Sequence, residues 1–172
     1  AVVEILRSKK ISIGLCSPTG RAAKRLSEVT QIEAMTIHRF LKFNPQERGF
    51  HFDEKNKVPY QVVLVDEASM LDTQLFLTLL KAIPTTASLI LVGDADQLPS
   101  VGPGQVLSDL ISSGNIPTVA LTQIFRQGKE SQIVSVAHQI NHGEFPHWNA
   151  TDDSDFFFIS QEDPEKAVET IL

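Results

Sequence analysis

The sequence predicts an α/β fold with a parallel sheet, and three observations support that class. Short apolar runs alternate with segments of helical periodicity, each run is followed by polar residues, and helix-capping residues stand between the segments. Strands separated by helices are typical of parallel β-α-β units. The predicted strands of this sheet are 11–17, 61–67, 88–94 and 118–123.

The helices follow from periodicity and from capping residues. Behind the first strand, Ala22, Ala23, Leu26 and Val29 share roughly one helical face. Thr36 and Asp72 are of a type that caps helices, and Gly114 and Gly143 are of a type that ends them. The other predicted helices are 36–43, 73–82, 104–113 and 131–142, followed by a strand at 156–160 and a last helix from 163.

Two segments interrupt this alternation and predict the domain organisation. Residues 44–59 are polar and rich in turn formers, so we expect a short hairpin that projects from the domain. After residue 124 a new run of helix and strand begins. We therefore predict one domain over 1–124, with the hairpin inside it, and the start of a second over 125–172.

Composition is that of an ordinary globular protein, with 42% hydrophobic and 21% charged residues among 172. No apolar run is long enough to cross a bilayer, so no membrane partner is expected. The single cysteine, Cys16, excludes an internal disulfide and a cysteine metal cluster. These features agree with a cytoplasmic location.

Charge is unevenly distributed along the chain. The net charge is −6, yet the first 42 positions hold eight of the 15 Lys and Arg residues and only three of the 21 Asp and Glu residues. A local basic surface can bind phosphates on an acidic protein. A solvated basic helix face explains the charge pattern equally well.

Polar residues at the strand ends predict a functional site. Each of the four predicted strands ends in polar residues: Ser17 to Gly20, then Asp66 and Glu67, then Asp94 to Gln97, and last Gln123 to Arg126. Open parallel sheets bind ligands at this edge. An aspartate there can hold Mg²⁺ and a neighbouring glutamate can activate water, although a helix-capping pair reads the same way. A glutamine in such a loop can contact a γ-phosphate, and Arg126 can neutralise transition-state charge from a neighbouring domain.

Five segments in this order carry a family resemblance: SPTGRAAKRLSE (17–28), TIHRFL (36–41), VDEASM (65–70), VGDADQLPSVGPG (92–104) and LTQIFRQ (121–127). They resemble motifs Ia, Ib, II, III and IV of superfamily 1 helicases, and most closely those of the RecD-like group. The resemblance covers about residues 1–150. It implies a RecA-like lobe of a bacterial, cytoplasmic, ATP-dependent DNA helicase of recombination and repair, moving 5′ to 3′. Its cofactors would be ATP and Mg²⁺. Its partners would be single-stranded and duplex DNA, with subunits of a nuclease complex as further candidates.

The resemblance also implies roles for individual residues. Asp66 would hold Mg²⁺, Glu67 would be the catalytic base, and Gln97 and Arg126 would contact the γ-phosphate. A DNA strand would run along Pro18, Thr19, Gly20 and Arg21, and along Thr36, His38 and Arg39. The hairpin resembles the pin that splits a duplex, with Phe50, His51 and Phe52 as stacking or wedge residues. A small satellite core explains these three aromatic residues almost as well.

The sequence departs from the family in one large respect. It contains no GxxxxGK[ST] phosphate loop, and motifs V and VI are also missing. We therefore expect these 172 residues alone neither to bind ATP tightly nor to unwind DNA, and to expose an apolar sheet edge that favours self-association. Two alternatives stay open: a lobe that binds nucleic acid or a subunit without hydrolysis, and an RNA helicase of the same superfamily.

Overall fold

A computed structural model describes residues 1–46, 48–121, 131–147, 154–161, 163 and 166 of the chain. The chain forms two compact units, Ala1–Thr118 and Val119–Leu172. The first unit contains helices α1 (Val2–Ser8), α2 (Gly20–Thr30), α3 (Ile37–Phe40), α4 (Thr73–Ala82) and α5 (Val106–Ser112), and strands β1 (Ile13–Ser17), β2 (Ala34–Thr36), β3 (Phe43–Asn44), β4 (Gly49–Phe50), β5 (Val62–Val65) and β6 (Ser88–Leu91). The second unit contains helix α6 (Gln132–Asn141). Within the described residues no helix is long and apolar enough to span a membrane.

The main sheet has four parallel strands in the order β2-β1-β5-β6. The register aligns Leu15 with Ala34 on one side and with Leu64 on the other. All four residues of β5 are buried, as expected for a central strand of β-branched and aliphatic residues covered on both faces. The predicted parallel α/β class is therefore confirmed.

Each face of the sheet packs into its own hydrophobic core. Leu15 and Leu64 meet Val3 of α1 on one face, with Leu26 of α2 packed beside them. The opposite face forms the larger core, which contains Cys16, Val63 and Val65 from the sheet together with Ile37, Phe40, Leu79 and Leu107. Because side chains alternate along a strand, neighbouring residues of β1 and β5 point to different cores.

Helix α4 is predicted correctly to the residue, and its cap explains why. The backbone N–H of Leu75 donates to the Asp72 carboxylate at 2.7 Å, which satisfies one of the free donors of the first turn. Thr36 caps α3 in the same way, by accepting from the N–H of Arg39 at 3.3 Å. Gly114 and Gly143 follow α5 and α6 with positive φ angles of 66° and 74°, as helix-ending glycines do.

Three details of the sequence prediction are wrong. Val29 is 76% exposed, because the inner face of α2 carries Ser27 and Thr30, whose hydroxyls donate to helix carbonyls of Ala23 and Leu26. Helix 36–43 shortens to α3, since the chain enters β3 at Phe43. Residues 118–121 and 156–160 form no strand, because neither segment has a ladder partner in the described part of the chain. The last predicted helix falls almost entirely outside the described residues.

The first residues of the segment 44–59 belong to a hairpin that begins at Phe43, in which β3 and β4 pair antiparallel. A turn follows it, in which the Asp53 carboxylate accepts from the N–H groups of Lys55 and Asn56 at 2.7 and 2.9 Å. These backbone hydrogen bonds, first that of Asn56 and then that of Lys55, hold the pKa of Asp53 below its ordinary value. The segment is thus closed by its own local hydrogen bonds.

In the second unit, an acidic residue distant in sequence supports the start of α6. The Asp155 carboxylate accepts from the Ser131 hydroxyl at 2.5 Å and from the N–H of Gln132 at 2.8 Å. The Ser131 hydrogen bond is the main cause of the lowered pKa of Asp155. The carboxylate therefore ties residue 155 to the N-terminus of this helix.

Candidate functional site

The carboxyl ends of the parallel strands bring three predicted site segments to one edge of the sheet. Beyond the last assigned pair, the N–H of Asp66 still donates to the carbonyl of Cys16 at 3.0 Å. The N–H of Val92 donates to the carbonyl of Val65 at 2.8 Å. The ladder therefore carries Asp66 and the loop after β6 to the same edge as Ser17 and Pro18. The fourth predicted contribution, from Gln123 to Arg126, lies outside the described residues.

Glu67 adopts a backbone conformation that costs free energy. Its φ of 56° and ψ of 42° lie in the left-handed region, which a residue with a side chain adopts at a cost of about 1–2 kcal/mol. The next N–H, of Ala68, donates to the carbonyl of Val92 at 2.8 Å and holds this turn against the end of β6. Strain of this kind, fixed by its surroundings, is concentrated at functional sites.

Gly93 makes room for the strained turn. A Cβ on this residue would lie 2.9 Å from the backbone nitrogen of Ala68 and 2.9 Å from a methyl carbon of Leu107. Both distances are far below van der Waals contact. The glycine after β6 is therefore required for the close approach of the turn that carries Glu67.

The loop that follows Gly93 holds Gln97 in an exposed position. Asp94 accepts from the N–H of Asp96 at 3.0 Å and from the Gln97 side-chain amide at 3.3 Å. Gln97 also lines an open cleft, which it shares with Ser69, Ala95, Pro99, Gln105, Leu107 and Ser108. Ser69 belongs to the 3₁₀ turn Ala68–Met70 behind Glu67, so the cleft joins that turn to the Gln97 loop. Neither Asp66 nor Glu67 lines the cleft itself.

The far end of the Gln97 loop is fixed to the N-terminus of α4. The N–H of Thr73 donates to the carbonyl of Pro103 at 2.9 Å. A Cβ on Gly102 would meet the side chain of Asp72 at 2.7 Å, and Gly104 has a φ of 98°. These two glycines allow the loop to lie directly on the capped end of the helix.

Two buried hydroxyls at this edge have no hydrogen-bond partner among the described residues. Ser17, at the end of β1, is 0% exposed and Ser69 is 8% exposed, and both Oγ atoms are unpaired. An unpaired buried hydroxyl costs about 1–3 kcal/mol, so each deserves a functional explanation. Ser17 was expected among the polar residues at the strand ends but without a role of its own, and Ser69 was missed.

The chemistry of the edge suits a hydrated divalent cation. Asp66 and Glu67 are half-buried carboxylates, and the nearby orphan hydroxyls are also oxygen donors, the ligand type that Mg²⁺ prefers. Within the described residues no group of three or more His, Cys, Asp or Glu side chains forms a closed metal cage. The donor set therefore fits a cation that a bound phosphate would share, rather than a structural metal.

The thiol of Cys16 is chemically inert despite its place near the edge. It is fully buried, and that burial raises its pKa to about 12. A thiol with such a pKa supplies almost no thiolate at neutral pH. Cys16 is therefore a residue of the hydrophobic core and not a candidate nucleophile.

The residues predicted to contact DNA lie in two adjoining segments. A Cβ on Gly20 would be 3.9 Å from the methyl group of Thr36, so the start of α2 lies beside the end of β2. The hydroxyl of Thr19 caps α2, as that of Thr36 caps α3. Pro18 is half-buried, and Arg21 is exposed.

His38 and Arg39 are exposed on α3, and each has a neighbour. The Arg39 guanidinium lies 3.8 Å from the carboxylate of Glu33, an exposed ion pair of little energetic weight. The His38 ring lies 5.9 Å from that of Phe50 and 6.0 Å from that of Phe43. His38 thus connects α3 to the hairpin.

The three hairpin residues predicted as a wedge differ in exposure. Phe50 and Phe52 pack against the larger core, whereas His51 is exposed. Lys42 lies over the Phe52 ring, with its ammonium 5.1 Å from the ring centroid. This geometry favours packing for the two phenylalanines, and a nucleic-acid contact by any of the three stays a prediction.

Comparisons with known proteins agree on one family. The model of the AAA domain family matches residues 1–160. The ATP-dependent RecD2 DNA helicase of Deinococcus radiodurans is 45% identical over 148 residues, which are 86% of this chain and 20% of that protein. The RecBCD enzyme subunit RecD of Mycobacterium tuberculosis is 38% identical over 139 residues, 72% of this chain and 24% of the subunit. The ATP-dependent DNA helicase dda of Enterobacteria phage T4 is 35% identical over 144 residues, 78% of this chain and 31% of that helicase.

Solved structures support the fold independently. Bacteroides Pif1 bound to ssDNA superposes with a TM-score of 0.53 at 19% identity, over 83% of this chain and 39% of that one. At this identity the likeness concerns the fold alone. The chain spans between a fifth and a third of the length of the curated relatives above.

Proposed function

The chain belongs to the AAA domain family and, within it, to the RecD-like DNA helicases, and from that premise we propose that it forms the nucleotide-hydrolysing edge of an ATP-dependent DNA helicase. Asp66 would hold Mg²⁺ at the phosphates, and Glu67 would orient and deprotonate the attacking water. Gln97 would contact the γ-phosphate from its loop. A contact of Arg126 with the γ-phosphate stays a prediction, since this residue lies outside the described part of the chain.

The observation that carries this proposal is the left-handed backbone of Glu67 at the ligand-binding edge of the sheet; the other non-glycine residues with this backbone, Lys10, Gln31, Lys42 and Arg48, lie away from that edge. The turn is held by the hydrogen bond from Ala68 to Val92 and by the space that Gly93 leaves. A helix-capping pair would need no left-handed glutamate, and Glu67 makes no capping hydrogen bond to the 3₁₀ turn. Strain in a carboxylate residue at the ligand-binding edge of a parallel sheet is explained by a catalytic role.

Asp66, Glu67 and Gln97 would each have a separate role in ATP hydrolysis. ATP with Mg²⁺, when bound, supplies the scissile phosphoanhydride and the charge neutralisation that phosphoryl transfer needs. Asp66 would fix the position of the cation through its carboxylate, and Glu67 would accept a proton from water at its carboxylate. Gln97 would exchange its present partner, Asp94, for a phosphate oxygen.

The nucleic-acid strand would run over the adjoining segments at Gly20 and Thr36. The backbone N–H groups at the start of α2 and the exposed Arg21 and Arg39 are groups that bind phosphates. The local excess of basic residues in the first 42 positions supports this path. We propose DNA as the substrate because the similar proteins are named DNA helicases. Nuclease-complex subunits as partners, and 5′ to 3′ movement, stay predictions.

Single-stranded-DNA-stimulated ATP turnover of the complete gene product tests the proposal. We expect Glu67→Gln to lower kcat by about 10²–10³-fold, the contribution of a general base, with little change in KM. Glu28→Gln is the matched control, because Glu28 is an exposed carboxylate of α2. Wild-type turnover by the Glu67 variant would contradict the role of Glu67 as the base, whereas the absence of stimulated turnover in the wild-type protein would favour the alternative, a lobe that binds nucleic acid without hydrolysis. Stronger stimulation of ATP turnover by RNA than by DNA would favour the other alternative, an RNA helicase.

A further inference from the structure

The strand register places Ser17 between Thr36 and Asp66. Ser17 is aligned with Thr36 of the neighbouring β2. On its other side Cys16 is aligned with Val65, and the hydrogen bond from Asp66 to the Cys16 carbonyl continues that ladder. One step further along both strands, Ser17 stands beside Asp66.

The three side chains start from the same face of the sheet. Ala34, Leu15 and Leu64 are aligned across the three strands and share the smaller core. Two residues further along the chain lie Thr36 and Ser17, the last residues of β2 and β1, and Asp66, which directly follows β5. Since side chains alternate with a period of two, this second row projects from the face that carries the first.

Ser17 is a fully buried member of this row with hydrogen-bonding capacity left over. Its Oγ is fully buried and unpaired, whereas Thr36 already accepts from the N–H of Arg39. A serine hydroxyl donates one hydrogen bond and accepts others. Ser17 can therefore accept from the Thr36 hydroxyl and donate to a carboxylate oxygen of Asp66 at the same time.

We propose that Ser17 is a positioning residue that orients the Asp66 carboxylate for the Mg²⁺-nucleotide and links it to Thr36 at the nucleic-acid segment. The inference rests on the function proposed above. The hydroxyl remains unpaired here and gains its partners when Asp66 turns to the cation. Because Thr36 stands at the start of α3, the same short chain of hydroxyls connects the DNA path with the nucleotide site.

The test uses the complete gene product and measures binding rather than turnover. A fluorescent, non-hydrolysable ATP analogue is titrated at a series of Mg²⁺ concentrations, and the melting temperature of each variant is recorded. We expect Ser17→Ala to raise the Mg²⁺ concentration for half-maximal binding about 10-fold, the lower end of the range that loss of a partner of a metal ligand produces. The melting temperature should stay the same or rise, since an unpaired buried hydroxyl is removed.

Two further variants separate this role from a structural one. Cys16→Ala changes the adjacent buried residue, whose side chain lies in the opposite core; it should lower the melting temperature and leave the Mg²⁺ requirement unchanged. Ser17→Thr keeps the hydroxyl and should stay within about twofold of wild type in its Mg²⁺ requirement.

The link to Thr36 is tested by combining variants. Ser17→Ala and Thr36→Val should be non-additive in their effect on analogue binding in the presence of single-stranded DNA, because both break one chain. An unchanged Mg²⁺ requirement in Ser17→Ala, or an equal shift in Cys16→Ala, would overturn the inference and leave the proposed function standing. Failure of the wild-type protein to bind the analogue would overturn the proposed function itself, before any variant is compared.

Discussion

The edge of the parallel sheet and the aromatic hairpin were both predicted to have a function. The two regions differ in how many of their polar and aromatic groups already have partners within the fold. In the hairpin region, Phe50 and Phe52 pack on the core and Asp53 satisfies its own turn. At the sheet edge the buried hydroxyls of Ser17 and Ser69 are unpaired, whereas left-handed backbone occurs in both regions, at Glu67 and at Lys42 and Arg48. In the hairpin region these groups interact within the fold, whereas at the sheet edge two buried hydroxyls have no hydrogen-bond partner among the described residues. A buried polar group without a partner destabilises the fold. Such a group is therefore a better indicator of a ligand site than one that is already paired.

Among these substitutions, replacing Glu67 by glycine should have the largest effect on ATP turnover. Glycine adopts the left-handed conformation without strain, so the variant should gain about 1 kcal/mol in free energy of unfolding and lose essentially all ATP turnover. Gln31→Gly is the matched control, because Gln31 also has a φ of 56° but lies at the end of α2. Urea unfolding and steady-state turnover of both variants check this. A Glu67→Gly variant that is less stable than wild type would show that the turn is not strained.

Replacing Gly93 by alanine should damage stability and turnover together. The new Cβ would push on the backbone of Ala68 and on Leu107, at a cost of about 1–3 kcal/mol, and would displace the turn that carries Glu67. Gly114→Ala is the comparison, since no atom lies within 4 Å of its Cβ position and only its φ of 66° is unfavourable. We expect it to lose stability by about 1 kcal/mol with normal turnover. Equal turnover in both variants would contradict the importance of the close approach at Gly93.

In the hairpin, we expect substitutions to change stability rather than activity. Phe50→Ala should cost about 2 kcal/mol of unfolding free energy, since a partly buried ring is lost from the core, whereas Phe50→Leu should restore most of that stability. If packing is the role of the ring, Phe50→Leu unwinds a forked duplex at close to the wild-type rate. A large loss of unwinding in this stable variant would instead identify Phe50 as a wedge.

The smallest expected effect is the loosening of the Asp53 turn at low pH. The lowered pKa of Asp53 means that its contribution to stability is complete above the unfolded pKa of about 3.8 and is lost as pH falls through the lower, folded value. Amide hydrogen exchange at Lys55 and Asn56 should therefore accelerate, relative to the intrinsic rate, only below about pH 4. Asp53→Ala should show the fast exchange at every pH. Protection of these amides that does not change between pH 5 and pH 2 would contradict the assignment.

Much of the fold could be predicted because it is specified locally. Helix α4 was located to the residue from Asp72 and Pro84, and β5 from its run of buried apolar residues. Strands at 118–123 and 156–160 were not confirmed over their described residues, because an apolar run becomes a strand only beside a ladder partner, which local sequence does not reveal.

The site was only partly predictable for the same reason. Asp66, Glu67 and Gln97 could be chosen from their places after apolar runs. The left-handed backbone of Glu67 and the need for Gly93 depend on how two distant turns approach each other. The role inferred for Ser17 depends on the register of three strands, which sequence patterning does not determine.

The central claim is that Asp66 and Glu67 face a bound nucleotide at the edge of the sheet. A crystal structure of the complete gene product with Mg²⁺ and a non-hydrolysable ATP analogue tests it most directly. We expect the cation beside the Asp66 carboxylate, the Glu67 carboxylate at the in-line water, and the Gln97 amide turned from Asp94 to the γ-phosphate. An analogue bound with its metal and γ-phosphate remote from all three residues would contradict the account.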